Sequence, residues 1–177
     1  ERRLEVVAEL GGRGGYRVER LVDLTHHELQ GRFLEGTGSV VFDHTARVAY
    51  ACLSPRTDAE VLGELCDELG YQSVTFHAAG PDGTAVYHTN VVLSIGTAFA
   101  VVCAESVPPK QRSALLERLA SGGRRVVTID RRQMGSYAGN VLELRATDGA
   151  RVLAASQCAM ASLPEDARGT LEACVER

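Results

Sequence analysis

The chain has 177 residues, 45% of them hydrophobic and 24% charged, with a formal net charge of −4. That is long enough for one domain with a real core and ordinary in composition for a globular protein. Acids and bases are interspersed, which excludes a nucleic-acid groove and a basic membrane patch, and no apolar run approaches the ~20 residues that span a bilayer.

The N-terminus, Glu1-Arg2-Arg3-Leu4, has no initiator Met and no apolar stretch of the signal-peptide kind, so a processed chain or a piece of a longer one is expected. Residues 1–10 read as a helix and Tyr16 to Leu21 as the strand closing an earlier unit. Beyond them three segments share one pattern. Gly38-Ser39-Val40-Val41-Phe42-Asp43 is followed by a turn and by Val48 to Ser54. Thr89-Asn90-Val91-Val92-Leu93-Ser94 is followed by a turn and by Phe99 to Ser106. Gly139-Asn140-Val141-Leu142-Glu143-Leu144 is followed by a turn and by Arg151 to Ser156. Ser39, Asn90 and Asn140 fall at equivalent positions, and each pattern reads as a hairpin.

Helix signals follow each hairpin. Thr57 or Asp58 can cap a helix over Ala59–Leu69 that stops at Gly70, Pro108-Pro109 open one running to Leu119, and Pro164 sits at the first turn of the last. Strands Gln72–Phe76 and Arg125–Ile129 come next. The unit is strand, strand, helix, strand, about 50 residues long, and such units bury their apolar faces only against one another. The expected organisation is a single α/β domain over 1–177, truncated at both ends. Its units are roughly 1–24 (partial), 34–77, 87–130 and 137–177 (partial).

Two motifs can carry chemistry. Leu34-Glu35-Gly36-Thr37-Gly38-Ser39 puts a Glu before two glycines at the mouth of a strand, and Tyr87-His88-Thr89-Asn90 holds the same place in the next unit. Taken singly, Glu35 reads as well as a surface side chain in a turn, and His88 as a half-buried histidine that only hydrogen-bonds. Their equivalence in the repeat joins them: units set around a common axis bring these edges together, where a Glu orients an imidazole that moves a proton.

These segments, with Ala51-Cys52-Leu53-Ser54-Pro55-Arg56-Thr57 and Ala138-Gly139-Asn140-Val141-Leu142, resemble the citrulline-utilisation hydrolases. Those belong with the arginine deiminases, dimethylarginine hydrolases and amidinotransferases of the guanidine-modifying pentein superfamily. The resemblance implies an α/β propeller of ββαβ units around a pseudo-fivefold axis. It implies a Cys nucleophile that attacks a guanidinium or ureido carbon, and a covalent intermediate resolved by water or, in an amidinotransferase, by an amine. Glu35 and His88 match the family's catalytic Glu and His, and Gly36 and Asn90 fall in its substrate-binding segments. Asn90 departs from the deiminases, which carry a carboxylate there; an amide suits a neutral ureido group.

The five cysteines are Cys52, Cys66, Cys103, Cys158 and Cys174. Their odd number, with no metal spacing, fits a reduced, cytoplasmic compartment. In the resembling family the nucleophile opens the last unit, and the repeat places that opening past Arg177. Cys158, between strand and helix, is the best internal alternative. His26-His27 beside Glu28 hints at a metal, but a doublet is expected to point to different faces with no third ligand in reach; no metal and no cofactor is expected. His77 reads as structural; Arg56, Arg131 and Arg132 could bind a substrate carboxylate, with a solvated face as the default reading. The expected partner is a small guanidino or ureido amino acid, with no nucleic acid and no membrane, and a homo-oligomer is compatible. A non-catalytic propeller fragment is the remaining reading.

Overall fold

Two strands set the frame. β-Branched and small apolar residues fill Val48-Ala49-Tyr50-Ala51-Cys52 and Phe99-Ala100-Val101-Val102, and every one of these residues is buried. Strands apolar on both faces must be central and covered, and each lies at the middle of a three-stranded sheet. The computed structural model describes residues 4–11 and 17–175.

In the first sheet β1 (Val41–Asp43) pairs antiparallel with β2 (Val48–Cys52), Val41 opposite Tyr50. β2 pairs parallel with β3 (Gln72–Phe76), Val48 opposite Gln72. The second sheet repeats this with β4 (Leu93–Ile95), β5 (Phe99–Val102) and β6 (Arg125–Thr128), again antiparallel and then parallel. Helix α3 (Ala59–Leu69) makes the first crossover. Asp58 caps it by accepting from the Glu60 and Val61 amides, and Gly70 ends it at φ +68°. Helix α5 (Pro109–Ala120) makes the second. The third segment forms a two-stranded sheet, β7 (Leu142–Arg145) with β8 (Arg151–Ala154), followed by α7 (Gln157–Ser162) and α8 (Glu165–Val175).

Strand alternation divides the core. Val48, Tyr50 and Cys52 point from β2 into a cluster shared with Phe76, Val92, Leu93, Phe99, Leu115 and Leu119. Ala49 and Ala51 point the other way, to Leu62 and Cys66 of α3. The turns tie neighbouring sheets together. Asp43, at the end of β1, meets Arg124, just before β6, at 2.6 Å with both side chains buried, and Arg124 Nε–H also donates to the Gly96 carbonyl. Glu143 of β7 accepts from the Thr97 amide and hydroxyl.

Three sequence expectations need correction. Residues 17–24 carry no regular structure, so the strand expected over Tyr16 to Leu21 is not formed there; Tyr16 itself lies outside the described residues. A strand needs a ladder partner, and Leu21 and Val22 instead lie exposed along an open groove. The first residues of the first two hairpins are not strand but single helical turns, α2 (Gly36–Ser39) and α4 (Thr89–Val92). The turn reverses the backbone so that the Ser39 and Thr89 hydroxyls point inward to buried partners. Finally, residues 157–162, expected to lie between strand and helix, form α7, and past the strand expected to Ile129 Asp130–Gln133 closes a capping box on the short helix α6 (Arg131–Gly135). For the start of the chain, α1 (Leu4–Gly11) is helical as expected within its described residues. No helix among the described residues is long and apolar enough to cross a membrane.

Candidate active site

Glu35 stands at the N-terminal end of α2 and His88 at that of α4. The two turns pack together, and a single buried oxygen relay sets their spacing. Ser39 Oγ accepts from the Glu35 amide at 2.9 Å and from the Thr57 hydroxyl at 2.8 Å, and donates to the Arg56 carbonyl at 2.9 Å. Thr89 Oγ1 accepts from the Cys52 amide at 2.7 Å and donates to the Ser39 carbonyl at 2.5 Å. Every polar atom in this relay is paired, which a buried network needs if it is to hold one geometry.

The relay brings the Glu35 carboxylate to His88 Nε2 at 2.8 Å. The imidazole is mostly buried and the carboxylate about half exposed. Gly38 makes room for the ring: a β-carbon there would lie 2.8 Å from His88 Nδ1, inside any tolerable contact. Arg56 Nη1 approaches the same Glu35 oxygen at 3.6 Å, and its guanidinium lies over the Tyr87 ring, 5.0 Å from the centroid. Tyr87 in turn packs edge-on against His88 at 4.8 Å. Glu35 thus fixes the orientation of an imidazole that can take or give a proton, beside a cation held on an aromatic face.

An open groove of about 920 Å³ runs past Glu35, Gly36 and Thr37; its apolar walls include Leu21, Val22, Phe33 and Phe42. Gly36, at φ +52°, turns the chain at its rim. His88 does not line this groove. Asn90 sits half-buried on α4, two residues beyond His88, with no side-chain partner among the described residues.

No thiol joins the pair. Cys158 is exposed on α7, which follows the third sheet, and no hydrogen bond or ion pair connects it to Glu35 or His88 among the described residues. The other four cysteines are buried. Burial pushes the Cys52 thiol up to about 11 and raises those of Cys103 and Cys66, so all three favour the un-ionised, unreactive form.

Two expectations about individual side chains are overturned. His26 and His27 do not point to different faces: both imidazoles converge on Glu64 of α3, with His27 Nε2 at 2.7 Å and His26 Nε2 at 3.5 Å from Oε2. The third group comes from 37 residues away, beyond any local spacing rule. Arg56 is not simply solvated, since it bridges Glu35 and Tyr87. Its signal was available in the sequence, because Tyr87 precedes His88 and Arg56 follows the first hairpin. Gly38 carried no signal separate from the turn it sits in. His77 is exposed, and its amide donates to Gln111 Oε1 at 3.0 Å.

Solved structures that share this fold include two of ArgZ and one of AgrE. ArgZ, an arginine dihydrolase from the ornithine-ammonia cycle in Cyanobacteria, in its apo form, superimposes with a TM-score of 0.58 at 15% identity, covering 81% of this chain and 22% of that one. The N-terminal domain of ArgZ, with a cysteine replaced by serine and substrate bound, gives 0.59 at 14% identity, covering 92% of this chain and 52% of that domain. AgrE in its ternary complex with ornithine and NAD+ gives 0.56 at 15% identity, with 80% and 20% covered. The chain spans about half the length of the ArgZ domain and about a fifth of the longer chains. At these identities the likeness establishes a mixed α/β fold of the kind seen in the pentein arginine dihydrolases. No curated protein matches the chain.

The whole chain, residues 1–177, matches the family described as N,N-dimethylarginine dimethylhydrolase, eukaryotic, and it belongs to that family. This is among the families that the motifs around Glu35 and His88 resemble.

Proposed function

We propose that this chain carries the His–Glu part of a thiol-dependent hydrolase that cleaves a C–N bond in a guanidino or ureido amino acid. The observation that carries the reading is the 2.8 Å contact between His88 and Glu35, made by equivalent turns of successive repeats. Family membership supports the guanidino chemistry. In this reading Glu35 orients the ring and His88 transfers the proton to the leaving amine. Gly36 and Asn90 contact substrate, and the Asn90 amide favours an uncharged ureido group of the citrulline type. Transfer of an amidino group to an amine is the alternative outcome of the same thiol chemistry.

The nucleophile is assigned to a cysteine of the protein outside residues 1–177, with Cys158 as the internal alternative. The supporting facts are the four buried thiols and the fraction of the related structures that the chain spans. The propeller reading belongs here too, with 1–177 as part of one domain built of units near 34–77, 87–130 and 137–177. Apolar surface lies open at both ends of the row of sheets. Leu142, Leu144 and Val152 share one face of the third sheet and are 57%, 47% and 46% exposed, and Leu21 and Phe33 lie open at the other end. Further units would cover both. A cytoplasmic setting fits five free thiols.

The test is an assay of the full-length protein for release of ammonia or alkylamine from arginine, dimethylarginine and citrulline, with and without glycine or ornithine as acceptor. His88→Asn should lower kcat by about 10²- to 10⁴-fold, the usual share of a general acid–base. An acceptor-dependent product would favour transfer. Full activity in His88→Asn, or no turnover of any of the three, would sink the proposal. Cys158→Ser should leave turnover intact.

A further inference from the structure

The segment Thr25–Gln30 is about two turns of 3-10 helix, and His27 ties it to Glu64 of α3. Adjacent residues on such a helix diverge by about 120°, yet His26 and His27 bring their Nε2 atoms to the same carboxylate oxygen of Glu64. Their rings lie side by side, centroids 4.2 Å apart and 34° from parallel. His27 is buried, and its other ring nitrogen, Nδ1, has no hydrogen-bond partner. His26 and Glu64 are each about half exposed, so the three groups face an opening to solvent.

A hydrogen bond from His27 to Glu64 would hold the segment without His26. The second imidazole has no such need, and its place in the cluster calls for its own explanation. The three donor atoms lie within 4.8 Å of one another. A zinc ion with bonds of about 2.0–2.1 Å holds tetrahedral ligands about 3.4 Å apart. His26 Nε2 and Glu64 Oε2 already stand at 3.5 Å, and the 2.7 Å between His27 Nε2 and that oxygen need only open by less than an ångström. Two borderline imidazole nitrogens beside one carboxylate oxygen suit Zn2+ and its neighbours in the first transition row rather than calcium or magnesium, which take all-oxygen shells.

We infer that His26, His27 and Glu64 form a divalent transition-metal site of the zinc class, with three protein ligands and a fourth position open to water. Both histidines bind as neutral imidazoles through Nε2. The proton that His27 Nε2 shares with Glu64 moves to Nδ1 when the metal takes the Nε2 lone pair. The ion pins the Thr25–Gln30 segment to α3. That segment also forms one wall of the groove past Glu35, through Thr25 and Glu28, so occupancy fastens the groove wall. The inference is independent of the hydrolase reading, because its readout is binding and not turnover.

The experiment uses metal-free protein titrated with Co2+, followed by visible d–d absorption, and with Zn2+ in competition and in thermal unfolding. One equivalent of Co2+ should bind with a low-coordinate spectrum displaced by Zn2+, and Zn2+ should raise the unfolding midpoint by roughly 5 °C. His26→Ala should weaken binding at least about tenfold, as loss of even an outer-sphere partner does, while the metal-free midpoint stays put because the ring is half exposed. Glu64→Gln keeps a hydrogen-bond acceptor for His27 but removes the anionic ligand, and it should weaken binding as much. His44→Ala, at an exposed histidine that pairs with Tyr71 instead, should leave the affinity for both ions unchanged. The proposal is overturned if Co2+ leaves no d–d band, or if His26→Ala and Glu64→Gln bind both ions as tightly as the parent chain.

Discussion

The seam between the first and second sheets and the outer face of the third sheet follow the same sequence pattern and end in opposite states. At the seam, β2 and β5 are buried on both faces, a buried ion pair joins Asp43 to Arg124, and a satisfied hydroxyl relay runs from Cys52 through Thr89 and Ser39 to Glu35. In the third sheet β7 and β8 alternate. Leu153 packs into the shared core and Glu143 grips Thr97, while Leu142, Leu144 and Val152 face outward. A repeat unit is closed only where it has neighbours on both sides. The candidate active site lies at the seam, where two neighbours hold it.

The largest effect that tests this contrast is expected at Arg124. Arg124→Met leaves the Asp43 carboxylate buried with its Oδ2 unpartnered and only the Ala46 amide on Oδ1. Chemical denaturation should show a loss of about 3–5 kcal/mol. The double change Asp43→Asn with Arg124→Met should recover much of it, since a neutral amide has a far smaller burial cost. A small loss in the single variant would mean that the seam is not held by the pair.

A mid-sized effect is expected at Gly38. Gly38→Ala puts a methyl 2.8 Å from His88 Nδ1, so the ring must move. Stability should fall by about 1–3 kcal/mol. In the full-length protein turnover should fall by roughly 10²-fold, because displacement of about an ångström carries that cost. Unchanged turnover would show that the ring's position on Gly38 is not the one used in catalysis.

The smallest effect is expected on the outer face of the third sheet. Leu144→Ser within residues 1–177 should change stability by no more than about 0.5 kcal/mol, as for other exposed positions. The same change in the full-length protein should cost more than about 1 kcal/mol if further sheets cover this face. Equal, small losses in both would leave the face open and count against the propeller reading.

Much of the frame was legible from local pattern. The central strands showed as apolar runs, α3 through Asp58 and Gly70, and α5 through its leading prolines. The equivalence of Glu35 and His88 followed from the repeat alone. The helical turns α2 and α4 were not legible, because Val40, Val91 and Val92 read as strand and the competing preference came from buried partners of Ser39 and Thr89. Cys158 looked like a loop residue because Ser156, which caps α7, also reads as a strand end.

The sequence by itself determined the strand, strand, helix, strand order of the repeat units and put Glu35 and His88 at equivalent positions in two of them. The first rests on periodicity and capping within one or two turns of chain, and the second on the register of a repeat of about 50 residues. The tertiary structure alone decided that Glu35 meets His88 at 2.8 Å over Gly38, that Asp43 finds Arg124, and that two adjacent histidines share Glu64. Those contacts join groups 53, 81 and 37 residues apart. Each partner taken alone reads as an ordinary polar residue, and only the packing of one element on another, sheet on sheet or the Thr25–Gln30 segment on α3, supplies its counterpart.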